Sequence, residues 1–143
     1  MAQDKKIILV VDDEPDYIKV VSLYFSNAGM EVIGATSGKK AIKAFDARQP
    51  DAIILDVKMP KMDGAEVCST IRAKMGLKSI PIIALTGYHS PETKAKMMAV
   101  GADLYLTKPV EMRRLIAHVM QLMPRDEAML QPPNGRPEVS PGI

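Results

Sequence analysis

The chain has 143 residues, 47% of them apolar and 25% charged, and a net charge of +2. Its one cysteine, Cys68, excludes an internal disulfide and fits a reducing, cytoplasmic setting. No apolar run approaches the ~20 residues that span a bilayer, and the run after Lys6 is too short for a signal peptide. The net charge is too small to argue for nucleic acid binding by electrostatics alone.

Ile7 to Val11 is an apolar run, read as a first strand, that stops at Asp12-Asp13-Glu14. Pro15 suits the first turn of a helix, and Ile18, Val21, Phe25 and Ala28 recur at helical spacing up to a stop at Gly29. Glu31 to Ala35 is a second strand. Ser37 caps a second helix that turns Ala41, Ile42, Ala44 and Phe45 inward, and Gln49-Pro50-Asp51 breaks it. Ala52-Ile53-Ile54-Leu55 then ends abruptly in Asp56, the pattern of a strand buried on both faces. A loop from Met59 to Gly64, containing Pro60, leads to a third helix carrying Val67, Cys68, Ile71 and Met75, with Gly76 as its stop. Ile80 to Leu85 is the fourth strand, followed by Thr86-Gly87. Ser90-Pro91-Glu92 starts a fourth helix that runs to about Val100, where Gly101 stops it. Asp103 to Leu106 is the fifth strand, ending in Thr107-Lys108-Pro109. The fifth helix turns Met112, Leu115, Ile116, Val119 and Leu122 inward.

Five strands alternating with five helices imply a (βα)5 doubly wound parallel sheet with helices on both faces and strand order 2-1-3-4-5. Residues 1–123 form this domain. Beyond them five of the 11 prolines fall within the last 20 residues, so 124–143 reads as a flexible tail or linker stub.

In such sheets ligands bind outside the C-terminal strand edge. The strands deliver Asp12, Asp13, Asp56, Thr86 and Lys108 there. Crowded carboxylates need a hard cation or a proton, and an oxygen set with room for water suits Mg²⁺. Lys108 and the Thr86 hydroxyl can then engage the oxygens of an incoming phosphoryl group, and Gly87 leaves it room. Asp56, on the central strand between the first and the fourth, is the natural nucleophile.

These residues on this pattern resemble the receiver domain of two-component response regulators, over about residues 5–123. The resemblance implies that Asp56 is the phosphoacceptor and that Asp12, Asp13 and Asp56 hold Mg²⁺ with the Lys58 backbone carbonyl. It implies that Thr86 and Lys108 bind the phosphoryl group, that Thr86 and Tyr105 form the switch, and that the Lys108–Pro109 bond is commonly cis. Lys58 and Tyr88 occupy the two positions that tune phosphoryl lifetime among receivers; both are bulky and are expected to prolong it. A sensor histidine kinase or phosphotransfer protein would donate the phosphoryl group, and the chain would catalyse its own phosphorylation and dephosphorylation. The fourth helix, fifth strand and fifth helix would signal to a protein partner or a missing output domain, with no direct nucleic acid or membrane contact by this segment. A homodimer on phosphorylation fits the same picture.

Two rival readings of the same residues make different demands. A phosphorylation-independent interaction module would keep the fold but lose an acid or the lysine. A phosphohydrolase would carry a second carboxylate where Lys58 stands. Elsewhere Cys68 reads as a buried helical thiol, His89 and His118 as solvent-facing, and Lys39-Lys40 as a solvated face. The methionines read as core filler, with Met97 and Met112 candidates for a pliant partner surface. Arg113-Arg114 reads as solvated, with the option of steering an acidic partner.

Overall fold

The computed structural model describes residues 5–59, 63–76 and 79–123. The expected tail, and Pro60, Lys61 and Met62 of the loop after the third strand, lie outside the described residues. Strands and helices alternate as β1 (Ile7–Val11), α1 (Pro15–Asn27), β2 (Glu31–Ala35), α2 (Gly38–Ala47), β3 (Ala52–Asp56), α3 (Gly64–Met75), β4 (Ile82–Thr86), α4 (Pro91–Ala99), β5 (Leu104–Thr107) and α5 (Met112–Leu122). All strand pairs are parallel, in the order β2-β1-β3-β4-β5. This is the expected doubly wound order, the arrangement of a flavodoxin-like fold.

Strand alternation divides the core in two. Ile8, Val10, Ala52, Ile54, Ile83 and Leu85 pack toward Val21 and Phe25 of α1 and Leu115 and Val119 of α5. Leu9, Val11, Ile53, Leu55, Ile82 and Ala84 pack toward Phe45 of α2, Val67 and Ile71 of α3, and Met97 of α4. Helices therefore cover both faces, and β3 and β4 are buried along their whole length. The edge strands β2 and β5 are only half-buried.

Local chemistry sets the helix ends. Ser37 Oγ accepts the Lys40 N–H, Ser90 Oγ accepts the Thr93 N–H, and Asp63 Oδ1 accepts the Ala65 N–H. Gly29, Gly76 and Gly101, the expected stops, all have positive φ.

Three expectations shift. β4 begins at Ile82 rather than Ile80, because Pro81 has no N–H to donate; its carbonyl still accepts from Ile53. β5 begins at Leu104, because Asp103 pairs instead with the start of β4. Leu122 is 37% exposed, and Met123, where the chain has left the helix, takes the buried place. Among the side residues, Met97 is fully buried, which removes it from any partner surface. His118 is half-buried, and His89 is exposed but packs its ring on Tyr105 at 5.7 Å. Cys68 is buried, and burial pushes its thiol pKa up, as fits an inert core residue. No helix among the described residues is long and apolar enough to cross a membrane.

Candidate functional site

The C-terminal ends of β1 and β3 lie side by side, with Val11 in register with Leu55. The next residues out are acidic. One carboxylate oxygen each from Asp12, Asp13 and Asp56 lies within 4.8 Å of the others. Asp12 is 2% exposed and Asp56 8% exposed, so two of these charges sit almost out of water. Burial pushes the Asp56 pKa up to about 6; Asp12 and Asp13 push the same way, while Lys108 and the Lys58 N–H oppose them. A pocket of three oxygen donors that resists its own charge fits a hard divalent cation.

Each group is held by its neighbours. Asp12 Oδ1 accepts the Glu14 N–H at 2.9 Å, and Asp12 Oδ2 accepts from Lys108 Nζ at 2.7 Å. The Lys58 N–H donates to Asp56 Oδ1 at 3.3 Å. The Lys108 N–H donates to the Thr86 carbonyl at 2.7 Å, which ties the lysine's backbone to the end of β4. The Lys108–Pro109 peptide bond is cis. Lys108 has its pKa raised despite the lowering effect of burial, because Asp12, Asp56 and Tyr17 favour its charged form.

The pleat sorts these residues. Alternation from Ile54, Leu106 and Val10 sets Asp56, Lys108 and Asp12 on the α1/α5 side of the sheet edge. Alternation from Ala84 sets Thr86 on the opposite side, where Tyr105 also packs. Thr86 is fully buried, and its hydroxyl accepts the Tyr88 N–H and donates to the Tyr88 carbonyl, both at 3.1 Å. Tyr105 is half-buried with its hydroxyl enclosed and unpartnered among the described residues. A Cβ on Gly87 would meet nothing within 4 Å, so there is open room beside Thr86. Lys58 and Tyr88 approach each other from β3 and β4: Lys58 Nζ stands 4.2 Å from the Tyr88 ring centroid.

Two residues at this edge carry no motif and escape a reading of the sequence. Gly64, the first residue of α3, donates its N–H to the Val57 carbonyl at 2.8 Å. A Cβ there would stand 2.7 Å from Val57 Cα and 2.9 Å from the Asp56 carbonyl. The only sequence signal is a glycine directly after a capping Asp, where any helix former would otherwise serve. Tyr17, on the first turn of α1, lies under Lys108, whose Nζ is 4.2 Å from its ring centroid. Helical side chains lean toward the helix N-terminus, so an aromatic in a first turn is aimed at the sheet edge.

By fold and site the chain is a flavodoxin-like α/β domain with an acid pocket and a lysine at its C-terminal sheet edge. It belongs to the response regulator receiver domain family, whose model matches residues 8–120. It is therefore a receiver domain, a phosphorylation-activated switch of two-component signalling. The chain is 38% identical over 122 residues to the alkaline phosphatase synthesis transcriptional regulatory protein PhoP of Bacillus subtilis, covering 85% of this chain and 50% of that one. It is 36% identical to the DNA-binding dual master transcriptional regulator RpaA of Synechocystis, covering 87% and 52%. It thus spans about half the length of these regulators. Among solved structures it resembles the Vibrio cholerae chemotaxis protein CheY4, with a TM-score of 0.79 and 34% identity over 84% of this chain and 100% of that one. A CheY-like receiver from Methanospirillum hungatei matches with a TM-score of 0.79 and 26% identity, covering 82% and 93%.

Proposed function

We propose that Asp56 is the phosphoacceptor. The observation that carries this is the gathering of the Asp12, Asp13 and Asp56 oxygens within 4.8 Å, with Lys108 bonded to Asp12 beside them. Asp56 is the member that ends the central strand. A sensor histidine kinase or phosphotransfer protein is the donor. An Asp56 carboxylate oxygen forms the new P–O bond as the donor's P–N bond breaks, and the electron pair leaves on the imidazole nitrogen. The chain's own residues catalyse this transfer and the later hydrolysis.

Asp12, Asp13 and Asp56, with the Lys58 carbonyl, would hold Mg²⁺. When bound, it neutralises charge on the phosphoryl oxygens. Lys108 turns from Asp12 to one phosphoryl oxygen. Thr86 releases the Tyr88 backbone and donates its hydroxyl to another. Tyr105 then settles behind Thr86, and the α4–β5–α5 face carries the signal to a protein partner, to an output segment, or to a second phosphorylated copy. An output segment that binds DNA fits the name of the Synechocystis regulator, which is about twice as long as the match. The setting is cytoplasmic.

The Lys58–Tyr88 contact narrows the path of the hydrolytic water and lengthens the phosphorylated lifetime. Lys58→Asn and Tyr88→Ala should each shorten it several-fold, as read by phosphate release.

The central test is incubation with acetyl phosphate and Mg²⁺, followed by intact mass. The expected result is an Mg²⁺-dependent, acid-stable, base-labile phosphoryl adduct on the wild type and none on Asp56→Asn. No adduct on the wild type, with no Mg²⁺-induced change in its NMR spectrum, would instead mark a phosphorylation-independent interaction module.

A further inference from the structure

We infer that Tyr17 is a positioning residue for the phosphoryl-binding lysine: its ring face, on the first turn of α1, holds the Lys108 ammonium at the sheet edge. This rests on the reading of Asp56 as phosphoacceptor. Among the described residues, Lys108 Nζ meets Asp12 Oδ2 at 2.7 Å and the Tyr17 ring at 4.2 Å. They differ in kind. Asp12 is required by the cation pocket, and a bound cation weakens its hold on the ammonium. The ring is neutral and stays available whichever state the pocket is in.

A lysine loses substantial rotamer freedom when fixed, because its charge rides on a flexible four-carbon stem. Once Asp12 lets go, solvent would take the ammonium unless something else holds it. The face of an aromatic ring attracts a cation, most strongly where both are shielded from water. Both are shielded here: the Lys108 side chain is 19% exposed, and Tyr17 packs against the α1/α5-side core. The Tyr17 hydroxyl is enclosed and makes no hydrogen bond among the described residues, so no polar tether competes for the ring. It is the ring, not the hydroxyl, that meets Lys108.

The test compares wild type, Tyr17→Phe and Tyr17→Leu. NMR of the metal-free, unphosphorylated protein reads the geometry directly. The Lys108 ε-methylene protons should be shifted upfield by the ring in wild type and Tyr17→Phe, and not in Tyr17→Leu. Phosphorylation by acetyl phosphate with Mg²⁺ reads the consequence: about fivefold slower in Tyr17→Leu and within about twofold of wild type in Tyr17→Phe. Absence of the upfield shift in wild type overturns the inference, and that reading needs no substitution to fold. A Leu variant as fast as wild type overturns it, as does a Phe variant as slow as Leu, which would move the role to the hydroxyl. No adduct on the wild type while the shift is present overturns the phosphoacceptor reading, and with it any part for Tyr17 in transfer.

Discussion

The two edges of the sheet use the same residue type in opposite ways. At the N-terminal edge, Asp51 and Asp103 each stand one residue before a strand and pair with the first residue of the neighbouring strand. Asp51 Oδ2 accepts the Ile7 N–H, and the Asp51 N–H donates to the Ile7 carbonyl, both at 2.7 Å. Asp103 repeats this with Ile82, at 2.8 Å in each direction, and also takes an ion pair from Arg72 at 2.7 Å. These carboxylates satisfy strand N–H groups that have no ladder partner, so they hold the fold. At the C-terminal edge, Asp12, Asp13 and Asp56 crowd one another, and only Lys108 offers a full charge in return among the described side chains bonded to them. Their repulsion is the affinity for a cation. An acid at one edge is a fastening, and at the other it is a binding site held at a cost in stability.

Neutralising substitutions should therefore change stability with opposite signs. The largest effect is expected for Asp103→Ala, which leaves the Ile82 N–H unpaired and Arg72 without its carboxylate. A loss of about 2–3 kcal/mol, most of it from the buried Ile82 N–H, is expected in urea unfolding, with the phosphorylation rate of the folded fraction unchanged. Asp56→Asn should instead raise stability at pH 7 in Mg²⁺-free buffer by about 2 kcal/mol, while abolishing the adduct. The sign follows from Asp56, whose folded pKa lies near 6, above its ordinary value of 3.8. Between about pH 4 and 6 the folded state holds a proton that the unfolded chain has lost. Wild-type stability therefore falls relative to the Asn variant as pH rises through that window, and the gap is full above it. An Asn variant no more stable than wild type at pH 7 would break the comparison. Mg²⁺ at tenfold its Kd should then return about 1.4 kcal/mol to the wild type and much less to Asp56→Asn.

The contrast between the edges also explains what could be read from the sequence. The C-terminal edge was legible because each apolar run ends abruptly in a charge or hydroxyl, and the parallel topology brings those ends together. Asp12, Asp56 and Lys108 follow from one rule. The N-terminal edge was not legible. Asp51 reads as a helix breaker beside Pro50, and Asp103 as a strand residue, because their function depends on register with a strand 44 residues away in one case and 21 in the other. Gly64 is silent for a related reason: the backbone it must clear, at Val57 and Asp56, is brought near only by the turn into α3. Leu122 was misplaced because helical spacing treats it and Met123 alike, and only the helix end decides between them.

The smallest of these effects separates geometry from charge. The Ile7 N–H needs an acceptor, and an amide oxygen can replace a carboxylate oxygen there. Asp51→Asn should thus cost a few tenths of a kcal/mol, and Asp51→Ala about 1 kcal/mol, the worth of one partly exposed hydrogen bond. The bond from the Asp51 N–H to the Ile7 carbonyl survives in both, since it belongs to the backbone. Unlike Asp103, Asp51 has no arginine on its carboxylate among the described residues, so its loss strands no cation. Urea midpoints of the two variants should order as wild type, Asn, Ala, with equal slopes. Acetyl phosphate labelling should proceed at one rate in all three, because β1 is pinned at its other end by Asp12, whose N–H donates to the Ala35 carbonyl at 3.0 Å. If labelling slowed in Asp51→Ala by more than the stability loss predicts, the two edges would be coupled through β1, and the division between fastening and site would fail.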